Sequence, residues 1–173
     1  MTNFKEGLKH IKAFAFDVDG VLSNPEVYLH PSGELMRSMN TKDGYALQYA
    51  VKRGYPVAII TGGNTESLVL RFRALGITDI YMSASYKPDN FKDFICKYGL
   101  EAGDVLYMGD DLPDYEVIQM SGVGCCPADA VEEIKAVAHY ISPNRGGRGC
   151  VRDVIEQVLR LHGRWMDDES FSW

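Results

Sequence analysis

No run of apolar residues in this 173-residue sequence approaches the about 20 needed to cross a bilayer. The first residues, Met1 to Glu6, lack the apolar core of a secretory signal. Cysteine is scarce: Cys96, Cys125, Cys126 and Cys150 form no CxxC pair, and no histidine stands at zinc-finger spacing from them. That excludes a disulfide framework and a structural zinc site. Cys125 and Cys126 sit inside an apolar run and read as buried free thiols, so a reducing cytoplasm is the expected compartment. Positive charge is also in short supply. Eighteen Lys and Arg against 24 Asp and Glu leave a net charge of −6, unsuited to gripping a nucleic-acid backbone. Four histidines, His10, His30, His139 and His162, are scattered and join no motif. Repeats and low-complexity segments are absent. What remains is a globular chain of one-domain length, expected to fold over 1–164 and to end in an acidic, aromatic tail, 165–173, loose in an isolated subunit.

Short apolar runs alternate with helical patterns. Ile11–Phe16, Val57–Ile60, Ile80–Met82, Val105–Met108 and Gly122–Cys126 have strand length, and continuous apolar runs suit buried parallel strands. Helices are expected over 43–53, 65–75 with Asn64 as N-cap, 88–98, 114–120, 128–137 and 151–161. The first three stop at Gly54, Gly76 and Gly99, a left-handed C-terminal cap pattern. The alternation predicts an α/β protein with a doubly wound, mostly parallel, Rossmann-like sheet. One segment interrupts it. Glu26–His30 and Glu34–Asn40 flank Pro31-Ser32-Gly33 and predict an inserted β-hairpin within about 21–40.

Ligands of open α/β sheets bind beyond the carboxyl ends of the strands. There the chain places Asp17 and Asp19, Thr61, Lys87, and Asp110, Asp111 and Asp114. Asp17-Val18-Asp19-Gly20 can be read as a plain turn. Two carboxylates that close also repel, and need a proton or a cation. With Asp110 beside them and no His or Cys near, the oxygen-rich set suits Mg²⁺. Thr61-Gly62-Gly63-Asn64 reads equally as a βα turn with a cap or as a phosphate cradle. Lys87 is either an ordinary surface lysine or a phosphate contact.

Taken in order, Asp17-x-Asp19-Gly20, Thr61, Lys87 and Gly109-Asp110-Asp111-x-x-Asp114 resemble the haloacid dehalogenase superfamily of phosphotransferases. Asn40-Thr41-Lys42-Asp43-Gly44-Tyr45, Ala58–Gly62, Arg71 and Gly146–Gly149 are similar to its capless 3-deoxy-D-manno-octulosonate (KDO) 8-phosphate phosphatase branch. The resemblance implies Asp17 as nucleophile and Asp19 as general acid, then base. It implies Thr61 and Lys87 as ligands of the transferring phosphoryl group. Mg²⁺ would be held by Asp17, the backbone carbonyl of Asp19 and Asp110, with Asp111 and Asp114 positioning the ion. Substrate contacts would come from Asn40, Asp43, Gly44, Thr61, Gly62, Arg71 and Lys87. The branch assembles as homotetramers in which the hairpins meet, so a neighbouring subunit is expected to cap the site. Gly63 stands where many members carry Arg; a contact from that side chain is absent or supplied elsewhere, with Arg71 the candidate. The implied substrate is a sugar phosphate, KDO 8-phosphate. A nine-carbon keto-sugar acid 9-phosphate shares the same frame. A receiver-like domain, modified on Asp17 without turnover, is the reading from another class. It requires the acceptor Asp on a later strand, and it gives no role to an Asp two residues beyond the nucleophile.

Overall fold

The computed structural model describes residues 4–166 and 170–171. A short helix, α1 (Phe4–Leu8), precedes β1 (Ala13–Phe16). The hairpin follows as β2 (Tyr28–Leu29) and β3 (Leu35–Met36). Then come α2 (Thr41–Lys52), β4 (Val57–Ile60), α3 (Glu66–Ala74), β5 (Asp79–Tyr81), α4 (Lys87–Tyr98), β6 (Val105–Met108), α5 (Tyr115–Met120), β7 (Val123–Cys126), α6 (Glu132–Val137), β8 (Tyr140–Ile141) and α7 (Cys150–Leu161). The main sheet runs β5-β4-β1-β6-β7-β8 with every pairing parallel. β1 is central, and the chain winds outward from it in both directions, so the switch point lies at its carboxyl end.

Alternation along β1 explains the layers. Phe14 and Phe16 face one core with α1, α2, α3 and α7. Ala13 and Ala15 face a second with Phe91 and Phe94 of α4, Val117 and Ile118 of α5, and Ile134 of α6. Both faces are covered, which is why the strands are apolar at every position rather than at every second one. Gly54, Gly76 and Gly99 all take positive φ just past their helices. Among the described residues, no helix is long and apolar enough to cross a membrane. Cys125, Cys126 and Cys150 are buried free thiols.

Several boundaries differ from expectation. α3 begins at Glu66, with Thr65 rather than Asn64 preceding it and no side chain capping it. The Thr65 hydroxyl accepts instead from Arg37, at 3.3 Å. α6 starts four residues later than its pattern suggests, because Val131 N–H is drawn to the carbonyl of Asp110, 3.0 Å away. The two-residue β8 and the short α1 carry too little periodicity to be read. The expected loose tail does not hold for Trp165 and Ser170. Trp165 meets Tyr45 and Tyr49 edge-on, and Ser170 accepts from Tyr45 and shares a hydrogen bond with Tyr49. Residues 167–169 and 172–173 lie outside the described residues.

Candidate active site

Four chain segments converge at the carboxyl ends of β1, β4 and β6. Beyond Phe16 the backbone enters a wide turn over 18–22, closed by Ser23 N–H on the Val18 carbonyl at 2.9 Å. Gly20 is required there. It has φ +79°, and a Cβ would stand 1.9 Å from a carboxylate oxygen of Asp110. Gly109 plays the corresponding part at the end of β6, since a Cβ would fall 2.2 Å from Cγ of Asp114. These two glycines let the carboxylates of β1 and β6 come together.

Lys87 is the hub of the buried part. Its Nζ lies 2.9 Å from Asp17 and 2.6 Å from Asp114, with 4% of the Lys87 side chain exposed. Asp114 is fully engaged. It accepts from Lys87 and the Tyr107 hydroxyl on one oxygen, and from the N–H groups of Asp110 and Asp111 on the other. Asp17 accepts from Val18 N–H at 2.6 Å on its remaining oxygen. Burial works against the Lys87 ammonium, but the charges of Asp17 and Asp114 outweigh it and hold its pKa above the ordinary value. Burial pushes Asp17 up to about 8; the Asp114 charge adds to this and Lys87 offsets part of it. Burial, with Asp114 and Asp111, likewise raises Asp110 to about 7. Tyr107, raised well above its usual range by burial and by Asp114, remains a neutral donor.

Carboxylates raised this far ask for a cation. Oxygens of Asp17, Asp110 and Asp114 all lie within 4.8 Å of one another. An all-oxygen set with one ammonium already present fits a hard divalent ion such as Mg²⁺. Asp17 and Asp110 can face that ion. Asp114, held by four donors, orients the site from behind.

A cavity of ≈ 340 Å³ opens over this cluster. Its lining includes Asp17, Asp19, Thr61, Gly62, Gly63, Lys87, Asp110, Asp111 and Asp114. Thr61 is buried, and its Oγ accepts from Gly63 N–H at 3.0 Å, which leaves its own proton for another acceptor. Ser83 opposite holds an uncommon φ of 52° while its N–H meets the Gly63 carbonyl at 3.0 Å. A βα turn and a phosphate cradle are thus compatible readings of residues 61–64, although the helix itself begins later, at Glu66.

Other expected site residues are not brought here. Asn40 caps α2, accepting from Lys42 and Asp43 N–H groups, and donates to the Gly147 carbonyl at 3.3 Å. Asp43 is buried and accepts from Gly149 and Arg152 N–H groups, tying α2 to the start of α7. Arg71 lies over Gly44, its guanidinium occupying the space a side chain there would fill. It lines a neighbouring cavity with Arg37 rather than replacing the missing side chain of Gly63. The cation near Gly63 is Arg37, which sequence reasoning missed. A lone Arg after a hairpin strand has no pattern to mark it; the glycine at 63 was the available signal.

The family model of the haloacid dehalogenase-like hydrolases matches residues 40–122. The 3-deoxy-D-manno-octulosonate 8-phosphate phosphatase KdsC of Escherichia coli (strain K12) is 36% identical over 156 residues, covering 90% of this chain and 83% of that protein. This chain belongs to the KdsC family of haloacid dehalogenase-like hydrolases. Solved structures of KdsC-family proteins superpose closely. The Yersinia pestis 3-deoxy-D-manno-octulosonate 8-phosphate phosphatase gives a TM-score of 0.91 at 32% identity, covering 94% of this chain and 88% of that one. The Moraxella catarrhalis enzyme, solved with magnesium, phosphate and KDO, gives 0.89 at 34% identity, covering 93% and 92%.

Proposed function

We propose that this KdsC-family chain is a Mg²⁺-dependent phosphatase that hydrolyses KDO 8-phosphate to KDO and inorganic phosphate, with residues 1–164 as the catalytic unit. The observation that carries the reading is the buried Asp17–Lys87–Asp114 cluster facing Asp110 and Thr61 across one cavity. Asp17 is the nucleophile. Val18 N–H fixes one of its oxygens, which aims the carboxylate into the cavity. Lys87 and Thr61 receive the phosphoryl oxygens, and Lys87 offsets repulsion between an ionised Asp17 and a phosphate dianion. Asp19 gives a proton to the departing sugar alkoxide, a poor leaving group without it. Asp19 then takes a proton from the water that cleaves the aspartyl-phosphate, regenerating Asp17. Asp17, the carbonyl of Asp19 and Asp110 hold Mg²⁺, with Asp111 and Asp114 as supports. When bound, the ion supplies charge neutralisation on the transferring oxygens.

The working unit is a homotetramer in the cytoplasm. Tyr28, Leu29 and Met36 of the hairpin are 63%, 79% and 48% exposed, and three such apolar side chains on a two-stranded ribbon call for cover by other copies. A neighbour seated there also closes a site that this chain leaves open. A monomer in sedimentation equilibrium with full activity would exclude that arrangement.

The deciding experiment is phosphate release from KDO 8-phosphate and from nine-carbon keto-sugar acid 9-phosphates, with Mg²⁺ and with chelator. Multiple Mg²⁺-dependent turnovers, fastest on KDO 8-phosphate, are expected. No release from KDO 8-phosphate would overturn the reading. Preference for the nine-carbon acids would move the substrate, and a single turnover would point to a phosphoacceptor.

A further inference from the structure

Asp19 is not free in this structure. Arg37 Nε lies 2.5 Å from one of its oxygens and Nη2 3.0 Å from the other, a two-pronged pair that spans 18 residues and joins the hairpin to the catalytic turn. Ser23 Oγ adds a third contact, at 3.3 Å. Both oxygens are therefore occupied, while the role assigned to Asp19 needs one of them at the leaving-group oxygen. The Arg37 side chain is 5% exposed, so its stem is anchored. Its Nη1 is held separately, by the Leu35 carbonyl at 2.9 Å and Thr65 Oγ1 at 3.3 Å. The prongs on Asp19 can change partner without moving that anchor. Gly63 lines the cavity, and the position its Cβ would take is 3.4 Å from Arg37 Nη2. Arg37 itself lines the adjoining cavity, and at 63 there is no side chain to stand between its guanidinium and the site. Asp19 itself is 37% exposed at the cavity wall.

We propose that Arg37 is a specificity-determining residue: it holds Asp19 until a carboxylate of the substrate takes Asp19's place on the guanidinium. The exchange is ion pair for ion pair. One carboxylate replaces another on the same planar fork, so no charge is left buried and unmatched, and Asp19 is released toward the phosphate. A sugar phosphate lacking a carboxylate can be bound by Lys87 and Thr61 but leaves Asp19 held. Selectivity then comes from a contact that competes with the wrong substrate as well as favouring the right one. The inference rests on the phosphatase reading above and names how the site selects an acid.

The test is the ratio of kcat/KM for KDO 8-phosphate to that for arabinose 5-phosphate, an alkyl phosphate without a carboxylate. In Arg37→Met, that ratio is expected to fall roughly 10- to 100-fold, the range for a lost charged hydrogen bond. Arg37→Lys keeps the charge but not the fork, and is expected to lie between. Equal losses on both substrates would mean that Arg37 only supports the structure, and would overturn the inference. So would an unchanged ratio. Should the Met variant not fold, an unchanged ratio in Arg37→Lys decides against it. If the unaltered protein releases no phosphate from KDO 8-phosphate, the functional reading itself fails, a result separate from either of these.

Discussion

Lys87 Nζ stands between Asp17 and Asp114, 2.9 Å from the first and 2.6 Å from the second. One ammonium thus links the proposed nucleophile just past β1 to an acidic residue that follows β6. Removing it leaves two carboxylates facing each other in a buried site. Lys87→Met is expected to abolish phosphate release and to lower stability at pH 8 by about 3–5 kcal/mol, the usual result of breaking a buried pair from one side. The loss should shrink toward pH 5, where Asp17 takes up a proton. Urea denaturation at both pH values checks this; equal stability of variant and parent at pH 8 would count against the hub role.

Asp17→Asn should behave differently. It removes the nucleophile, so turnover is lost. It also removes a charge that burial and Asp114 disfavour, so the metal-free protein should melt at the same temperature as the parent or higher. Residual turnover comparable to the parent would refute the nucleophile assignment.

Metal and pH are linked through the same residues. Asp17 and Asp110 hold protons up to about 8 and about 7, whereas in an unfolded chain both lose them near pH ~4. Between these limits the folded, metal-free protein binds more protons than the unfolded chain. Its stability therefore falls as pH rises from about 4 to about 8. A bound divalent cation removes that penalty. Thermal unfolding with chelator should show a steeper decline from pH 5 to 8 than with saturating Mg²⁺, with the largest Mg²⁺ gain at pH 8. Parallel curves would rule out Asp17 and Asp110 as the metal's ligands.

Asp43 tests the boundary of the site. Its carboxylate accepts from Gly149 N–H at 3.1 Å and Arg152 N–H at 2.8 Å, satisfying the first turn of α7. Asp43→Ala is expected to cost about 1–3 kcal/mol through those unpaired donors. Because Asp43 does not reach the cavity of Asp17, kcat/KM below the melting range should change little. A large rise in KM at unchanged stability would restore the substrate-binding role that its motif suggested.

Much of this protein could be read from local order. The five apolar runs become strands because residues buried on both faces of a sheet must all be apolar, a pattern visible in Val57–Ile60 or Val105–Met108 without any partner. Gly54, Gly76 and Gly99 mark helix ends because positive φ strongly favours residues without a Cβ. The placement of Asp17, Asp19, Thr61 and Asp110 just past strand ends, and of Lys87 at the start of the helix after β5, follows from the same reading, since strand ends in a parallel sheet share one edge. Weak elements escaped it: β8 has two residues and α1 five, too short for a period.

Tertiary structure decided which polar groups meet. Asn40 and Asp43 look like site residues in a motif, but α2 docks on α7 and their hydrogen bonds turn to that junction, while Gly44 lies beneath Arg71. Arg37 looks like an ordinary hairpin residue, yet folding carries it to Asp19. The difference is physical. Backbone propensity and burial depend on neighbours within a few positions, whereas the partner of a charged side chain depends on how distant elements pack, and the chain order of Asp19 and Arg37 contains no record of the 2.5 Å between them.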